Sequence, residues 1–189
     1  MARVSDNVMV RGLRGLFGDQ IVIRIDKAGR TIVSTKPEFD EDRVFTPAQR
    51  AQQERFRAAR AYARGAKNLE VYQAKAQGTP QTPSNIAMTD WFHPPEIREI
   101  DLSAWTGESG QLIGICAMDD VQVTQVRVAI MSESGVVLEQ GAASDDTVAG
   151  WWTYRTTTSV TGNIKVLVSA EDLPGHITQR TEVYTIYET

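Results

Sequence analysis

Apolar and polar positions follow a β-like rhythm in two separate stretches of the chain, and a 3.6-residue rhythm fills the stretch between them. In the first stretch, Gln20-Ile21-Val22-Ile23-Arg24-Ile25 and Arg30-Thr31-Ile32-Val33-Ser34-Thr35 are rich in β-branched residues, which favour strands. Asp26-Lys27-Ala28-Gly29 joins them as a hairpin link ending in glycine. Upstream, Gly12, Gly15 and Gly18 recur at every third position. Without proline and over so short a run, this period reads as turns or close backbone approach, not as a collagen repeat. A ribbon of two or three strands is marginal alone and must pack on something.

The middle stretch is helical. Residues 36–45 read as an acidic loop, after which Thr46 supplies a cap and Pro47 the first helical position. A helix over 47–67 is rich in alanine. Ala48, Ala51, Arg55, Ala59, Tyr62 and Ala66 fall on one narrow stripe, a face small enough to pack closely on a sheet. Arg50, Arg57, Arg60 and Arg64 lie on another face. A short helix over 69–77 follows, then a Gly/Pro-rich stop, then a third helix over 84–91 with Ser84 as its cap. Pro94-Pro95 ends it.

From Ile97 onward the rhythm is again that of strands. Seven short runs, near 98–102, 111–118, 122–131, 136–142, 151–157, 163–170 and 179–187, are separated by Gly, Ser and Asp clusters. Val126, Val128 and Ile130 alternate with polar or small neighbours, as do Ile164, Val166, Val168 and Ala170. Seven short strands without helical intervals predict a β-sandwich. The expected fold class is therefore α+β: a β-ribbon arm and loop over 1–45, a helical segment over 46–96, and a seven-stranded immunoglobulin-like sandwich over 97–189.

The late run Asn163-Ile164-Lys165-Val166-Leu167-Val168-Ser169-Ala170-Glu171-Asp172-Leu173-Pro174-Gly175-His176 resembles the late strand and turn of bacterial immunoglobulin-like repeats, which run as alternating Val/Ile followed by Ala-x-Asp-x-x-Gly-Asn. Here His176 replaces the usual Asn, and Pro174 precedes the glycine. Ala117-Met118-Asp119-Asp120 and Gly150-Trp151-Trp152-Thr153-Tyr154 are similar to the same family, and the likeness spans about 98–187. It implies a sandwich; such modules serve as spacers, adhesins and assembly subunits. Gly29-Arg30-Thr31-Ile32-Val33, Thr46-Pro47-Ala48-Gln49 and Arg55-Phe56 resemble a looser pattern in small uncharacterised bacterial proteins, which brings no catalytic residue.

Charge adds a second division. Of 189 residues, 20 are Lys or Arg and 24 are Asp or Glu, for a net charge of -4. Residues 1–67 hold 14 of the cations and 8 of the anions, net +6; residues 68–189 hold 6 and 16, net -10. The opposite halves are satisfied within one molecule or between copies docked head to tail. The arginine face is either a solvated surface or a set of phosphate contacts. A pI near 5.3 and the lack of a nucleic-acid motif weigh toward the former.

Little points to catalysis. The single cysteine, Cys116, excludes an intrachain disulfide, and neither His93 nor His176 has metal-ligand spacing. No Gly-x-Ser-x-Gly elbow is present. Loops after the second, fourth and sixth strands place Asp119-Asp120, Asp145-Asp146 and Glu171-Asp172 at one end of the sandwich. That end could bind Ca²⁺ through Asp119, Asp120, Asp145, Asp146 and Asp172, or the pairs are simply turn residues. No apolar run approaches membrane-spanning length, and Met1-Ala2-Arg3-Val4-Ser5-Asp6-Asn7 lacks the apolar stretch of a secretory signal. The chain reads as made in the cytosol, with its final location open, including a virus-like or extracellular assembly.

The leading expectation is a non-enzymatic, self-assembling filament, sheath or shell subunit. Ile21, Ile23, Ile32 and Val33 of the ribbon would pair with a neighbour, and Arg50, Arg57, Arg60 and Arg64 would steer it. The alternative is a module that binds carbohydrate or protein through Trp151 and Trp152, and a third reading is a nucleic-acid-associated protein.

Overall fold

The computed structural model describes residues 2–4, 12–26, 28–37, 43–146 and 148–186. These form a mixed α+β fold with three helices and twelve strands in three sheets. The acidic loop expected over 36–45 falls largely outside the described residues.

The arm is broader than a hairpin. Strands β1 (Ala2–Val4), β2 (Gly15–Phe17), β3 (Ile21–Ile25) and β4 (Thr31–Thr35) form an antiparallel sheet in the order β1-β4-β3-β2. Gly18 and Asp19, both at positive φ, turn β2 into β3, so part of the glycine repeat is indeed turn chemistry. Among the described residues, none of this sheet joins either hydrophobic core.

Helix α1 (Pro47–Ala66) starts at a full capping box. Thr46 Oγ1 accepts the Gln49 N–H at 3.2 Å, and Gln49 Oε1 accepts the Thr46 N–H at 3.0 Å. Its buried stripe of Ala59, Ala63 and Ala66 packs on other helices, α2 (Glu70–Ala76) and α3 (Pro83–Phe92), not on a sheet as expected. Alanine leaves room there for large neighbours: Tyr62 meets Tyr72 edge-on, and Phe56 lies 6.4 Å from Phe92. The cap of α3 is Thr82, not Ser84, with Pro83 at the first position. That repeats the Thr-Pro start of α1.

The remainder is a sandwich of two four-stranded sheets. One runs in the order β5 (Glu96–Asp101), β6 (Leu112–Met118), β10 (Trp151–Arg155), β9 (Ser144–Asp145). The other runs β12 (Ile177–Ile186), β11 (Gly162–Asp172), β7 (Val123–Ser132), β8 (Val137–Ala142). There are thus eight strands, not seven; the unforeseen one, β9, is a two-residue bridge. Period-two burial runs through β6, β7 and β11, and their inward residues meet Trp105, Trp152 and Tyr154 in one core.

Candidate functional site

Three surfaces collect the residues singled out above. The first is the arm. Strand pairing puts Ile21, Ile23 and Val33 on one face together with Phe17, because Phe17 is opposite Ile21 and Ile23 is opposite Val33. Ile32 points to the other face, since adjacent strand residues alternate; the four expected assembly residues do not form one patch. Only Ile23 is buried, while Phe17 and Ile21 are each 41% exposed and Leu16 is 53% exposed. Two arm cations are neutralised locally: Arg30 pairs with Asp26 at 2.7 Å and Lys36 with Asp19 at 2.6 Å.

The second surface is α1. Arg50, Arg57, Arg60 and Arg64 are all exposed and share one stripe of the helix. Arg55 lies instead over the Phe92 ring, 5.5 Å from its centre, and belongs to the helix–helix contact.

The third is the pair of lateral edges of the sandwich, which differ sharply. On the β12 side, Arg180 caps the neighbouring sheet: its Nη1 donates to the carbonyls of Ile97 and Arg98 at 3.3 and 2.6 Å, and Glu182 holds the guanidinium at 2.6 Å. On the opposite side, Val136 leads into edge strand β8, which opens with Val137 and Leu138; the three are exposed by 61%, 49% and 41%. Asp145 and Asp146, both exposed, follow directly in β9 and beyond.

The described acidic residues do not gather into a metal-ligand cluster. Among the described residues, no group of three or more His, Cys, Asp or Glu side chains is placed to hold a metal ion. The reason lies in what each aspartate already does. Asp119 Oδ2 accepts the N–H groups of Val121 and Gln122 at 2.9 and 3.0 Å. Asp120 Oδ2 meets His93 Nδ1 at 2.6 Å, and its carbonyl accepts Lys75 Nζ. Asp172 is buried and is bonded to the His176 backbone N–H at 2.6 Å and ring Nδ1 at 3.0 Å. Asp146 accepts from Thr153 Oγ1 at 3.2 Å, while Asp145 is exposed and is placed by its backbone pairing with Trp152 in the β9–β10 ladder. Part of the acidic end is thus covered by the chain's own helices: Val121 and Leu173 pack against their core.

That junction contains a residue the sequence reading passed over. Asp90 of α3 is fully buried, and its Oδ2 accepts the Tyr72 hydroxyl. Tyr62 Oη lies 2.7 Å from Tyr72 Oη, so a hydroxyl chain leads from α1 through α2 to α3. Burial pushes the Asp90 carboxyl up; the Tyr72 hydrogen bond opposes this, while Asp119 and the charge of Asp172 add to it, leaving it at about 7. The signal was present: Asp90 falls on the same helical stripe as Ile86 and Ala87, where an acid is out of place. Beside it, a cleft of about 330 Å³ is lined by Lys75, Gln81, Ile86, Thr89, Asp90, Asp120 and Val121.

The tryptophans separate. Trp152 is in the core and offers no contact surface, while Trp151 is half-buried beside Gly114. Cys116 is a half-buried free thiol within β6. No described helix is long and apolar enough to cross a membrane.

No family model matches the chain, and no curated protein matches it. Solved structures with partial likeness include CopC from Methylosinus trichosporium OB3b, 16% identical over 48% of this chain and 91% of that one, with a TM-score of 0.38. An engineered protein is 19% identical over 48% of this chain and 19% of its own, with a TM-score of 0.36. A lipoprotein from Bacteroides thetaiotaomicron is 15% identical over 51% and 81%, with a TM-score of 0.28. The likeness is to β-rich domains and reaches no function.

Proposed function

We propose that the protein is a non-enzymatic structural subunit that assembles with copies of itself through its N-terminal arm. One observation carries this reading. A four-stranded sheet keeps Leu16, Phe17 and Ile21 exposed, and none of its described residues shares a core with the rest of the chain. A sheet with an apolar face buries that face against another element. A neighbouring molecule supplies it.

The acceptor in this reading is the β8 edge. It is the last strand of its sheet and begins beside a run of exposed aliphatic residues. Edge strands of this kind template strand addition. The arginine stripe of α1 and the exposed Asp145 and Asp146 supply complementary charge, which orients the encounter. Arm and acceptor are different surfaces, so the contact is heterologous and propagates into an open polymer unless its rotation closes a ring.

We also read the sandwich as an immunoglobulin-like module. The strand order β5-β6-β10-β9 over β12-β11-β7-β8 supports this: it matches an ABED sheet facing GFC with one added strand. The Cys pair of antibody domains is replaced by apolar packing.

The test is a pair of surface variants followed by light scattering. Phe17→Asp on the arm and Leu138→Lys on the acceptor edge should each reduce assembly while leaving the sandwich's thermal unfolding unchanged. Undiminished polymers in both would remove the arm and the β8 edge as connectors.

A further inference from the structure

We propose that the helical segment is latched to the end of the sandwich by one proton shared between Asp90 of α3 and Asp119 of the β6–β7 loop, and that raising the pH loosens this joint. The inference is independent of the assembly reading.

The geometry leaves little else for these groups to do. Asp90 Oδ2 is taken by the Tyr72 hydroxyl, and Asp119 Oδ2 by two backbone N–H groups. The remaining oxygens, Asp90 Oδ1 and Asp119 Oδ1, are both buried and have no N–H or hydroxyl donor among the described residues. Asp90 lines one cleft with Asp120 and Val121, the two residues after Asp119, and Val121 packs against the helical core, so the two carboxyls belong to the same junction. Two carboxylates repel; a carboxylic acid and a carboxylate bond. A single proton between them converts two buried unsatisfied acceptors into one charge-assisted hydrogen bond.

The surroundings hold the proton in place. From α1 and α2, Tyr62 and Tyr72 present neutral hydroxyls. From the end of β11, buried Asp172 adds negative charge, but it is bonded to His176, whose ring packs edge-on against Trp91 at 5.2 Å. Lys75 and His93 are engaged by Asp120, through its carbonyl and its carboxylate respectively. Among the described residues, no cation bonds to Asp90 or Asp119. Two carboxylates would therefore repel at a junction where no described cation bonds to either of them.

The sign follows from linkage. The closed joint keeps a proton that an open, hydrated Asp90 releases in the ordinary carboxylate range. Stability of the joint is complete below that range and is lost as pH rises toward the titration of the closed pair. Across that window the opening equilibrium grows about tenfold per pH unit, then levels off.

Hydrogen–deuterium exchange of the full chain between about pH 5 and 8, corrected for intrinsic exchange, reads this directly. Peptides from α2 and α3 should lose protection about tenfold per pH unit up to neutrality and then plateau, while β11 stays constant. Asp90→Asn carries a permanent donor toward Asp119 and still accepts from Tyr72, so its helices should show no slope. Asp119→Asn makes the same prediction from the other side and serves if the first variant folds poorly. His176→Gln should keep the wild-type slope. A flat wild-type profile, an unchanged slope in both Asn variants, or a slope abolished by His176→Gln would each overturn the proposal.

Discussion

The Tyr154 hydroxyl of β10 donates across the two sheets to the Glu139 carboxylate of β8 at 2.6 Å. The same carboxylate accepts the backbone N–H groups of Thr157 and Thr158 at 2.7 and 2.9 Å. Gly141 makes the contact sterically possible, because a Cβ there would come within 2.9 Å of the Tyr154 ring. Burial pushes the Glu139 carboxyl up, but its hydrogen bonds to Tyr154, Thr157 and Thr158 outweigh this and hold it below the ordinary value. Tyr154→Phe should cost about 1–3 kcal/mol in urea unfolding, with an unchanged slope. Because the folded pKa is depressed, this stabilisation is complete above the ordinary glutamate range and is lost as pH falls. Glu139→Gln should therefore show a shallower acid decline than the wild type.

Two glycine-to-alanine changes should move stability in opposite directions. Gly107 has φ of +96°, and a Cβ there would sit 2.4 Å from the Val160 carbonyl oxygen and 2.8 Å from Ile186 Cγ2. Gly107→Ala should cost roughly 3 kcal/mol or more, combining backbone strain with a clash. Gly65 lies inside α1 with open space around its Cα. Gly65→Ala should stabilise by about 0.5–1 kcal/mol. Thermal unfolding of the two variants beside the wild type checks both.

The two Thr-Pro helix starts make a matched pair. Thr46 and Thr82 both accept the backbone N–H three residues on, at 3.2 and 3.0 Å. Each Thr→Ala change should cost about 1 kcal/mol. The Thr46 variant should raise amide exchange at the start of α1 only. The Thr82 variant should also disturb the Asp90 junction, because α3 carries that residue.

How far the sequence was readable depended on the range of the forces involved. Strands β6, β7 and β11 were legible because one face of each is buried and the period is plain in Ile113, Ile115 and Val126, Val128, Ile130. The start of α1 was legible because a cap and a proline act within one turn. Strand β9 was not, since a two-residue bridge has no period and owes its place to its neighbour β10. The packing of the loop after β6 against the helices was not legible for a related reason. Val121 and Asp90 line one cleft though far apart in the chain, and spacing within a loop cannot reveal a neighbour on a helix. The packing of α1 on helices instead of a sheet was hidden likewise, because an alanine stripe fits either surface.

The central claim, that exposed arm residues bind the sandwich of another copy, is tested most directly by sedimentation velocity of the full chain over a concentration series at about 0.05 and 0.5 M salt. The account predicts association that grows with concentration, weakens at the higher salt, and disappears in Phe17→Asp. A monomer at every concentration and both salts, with the arm's amides protected from exchange, would contradict it.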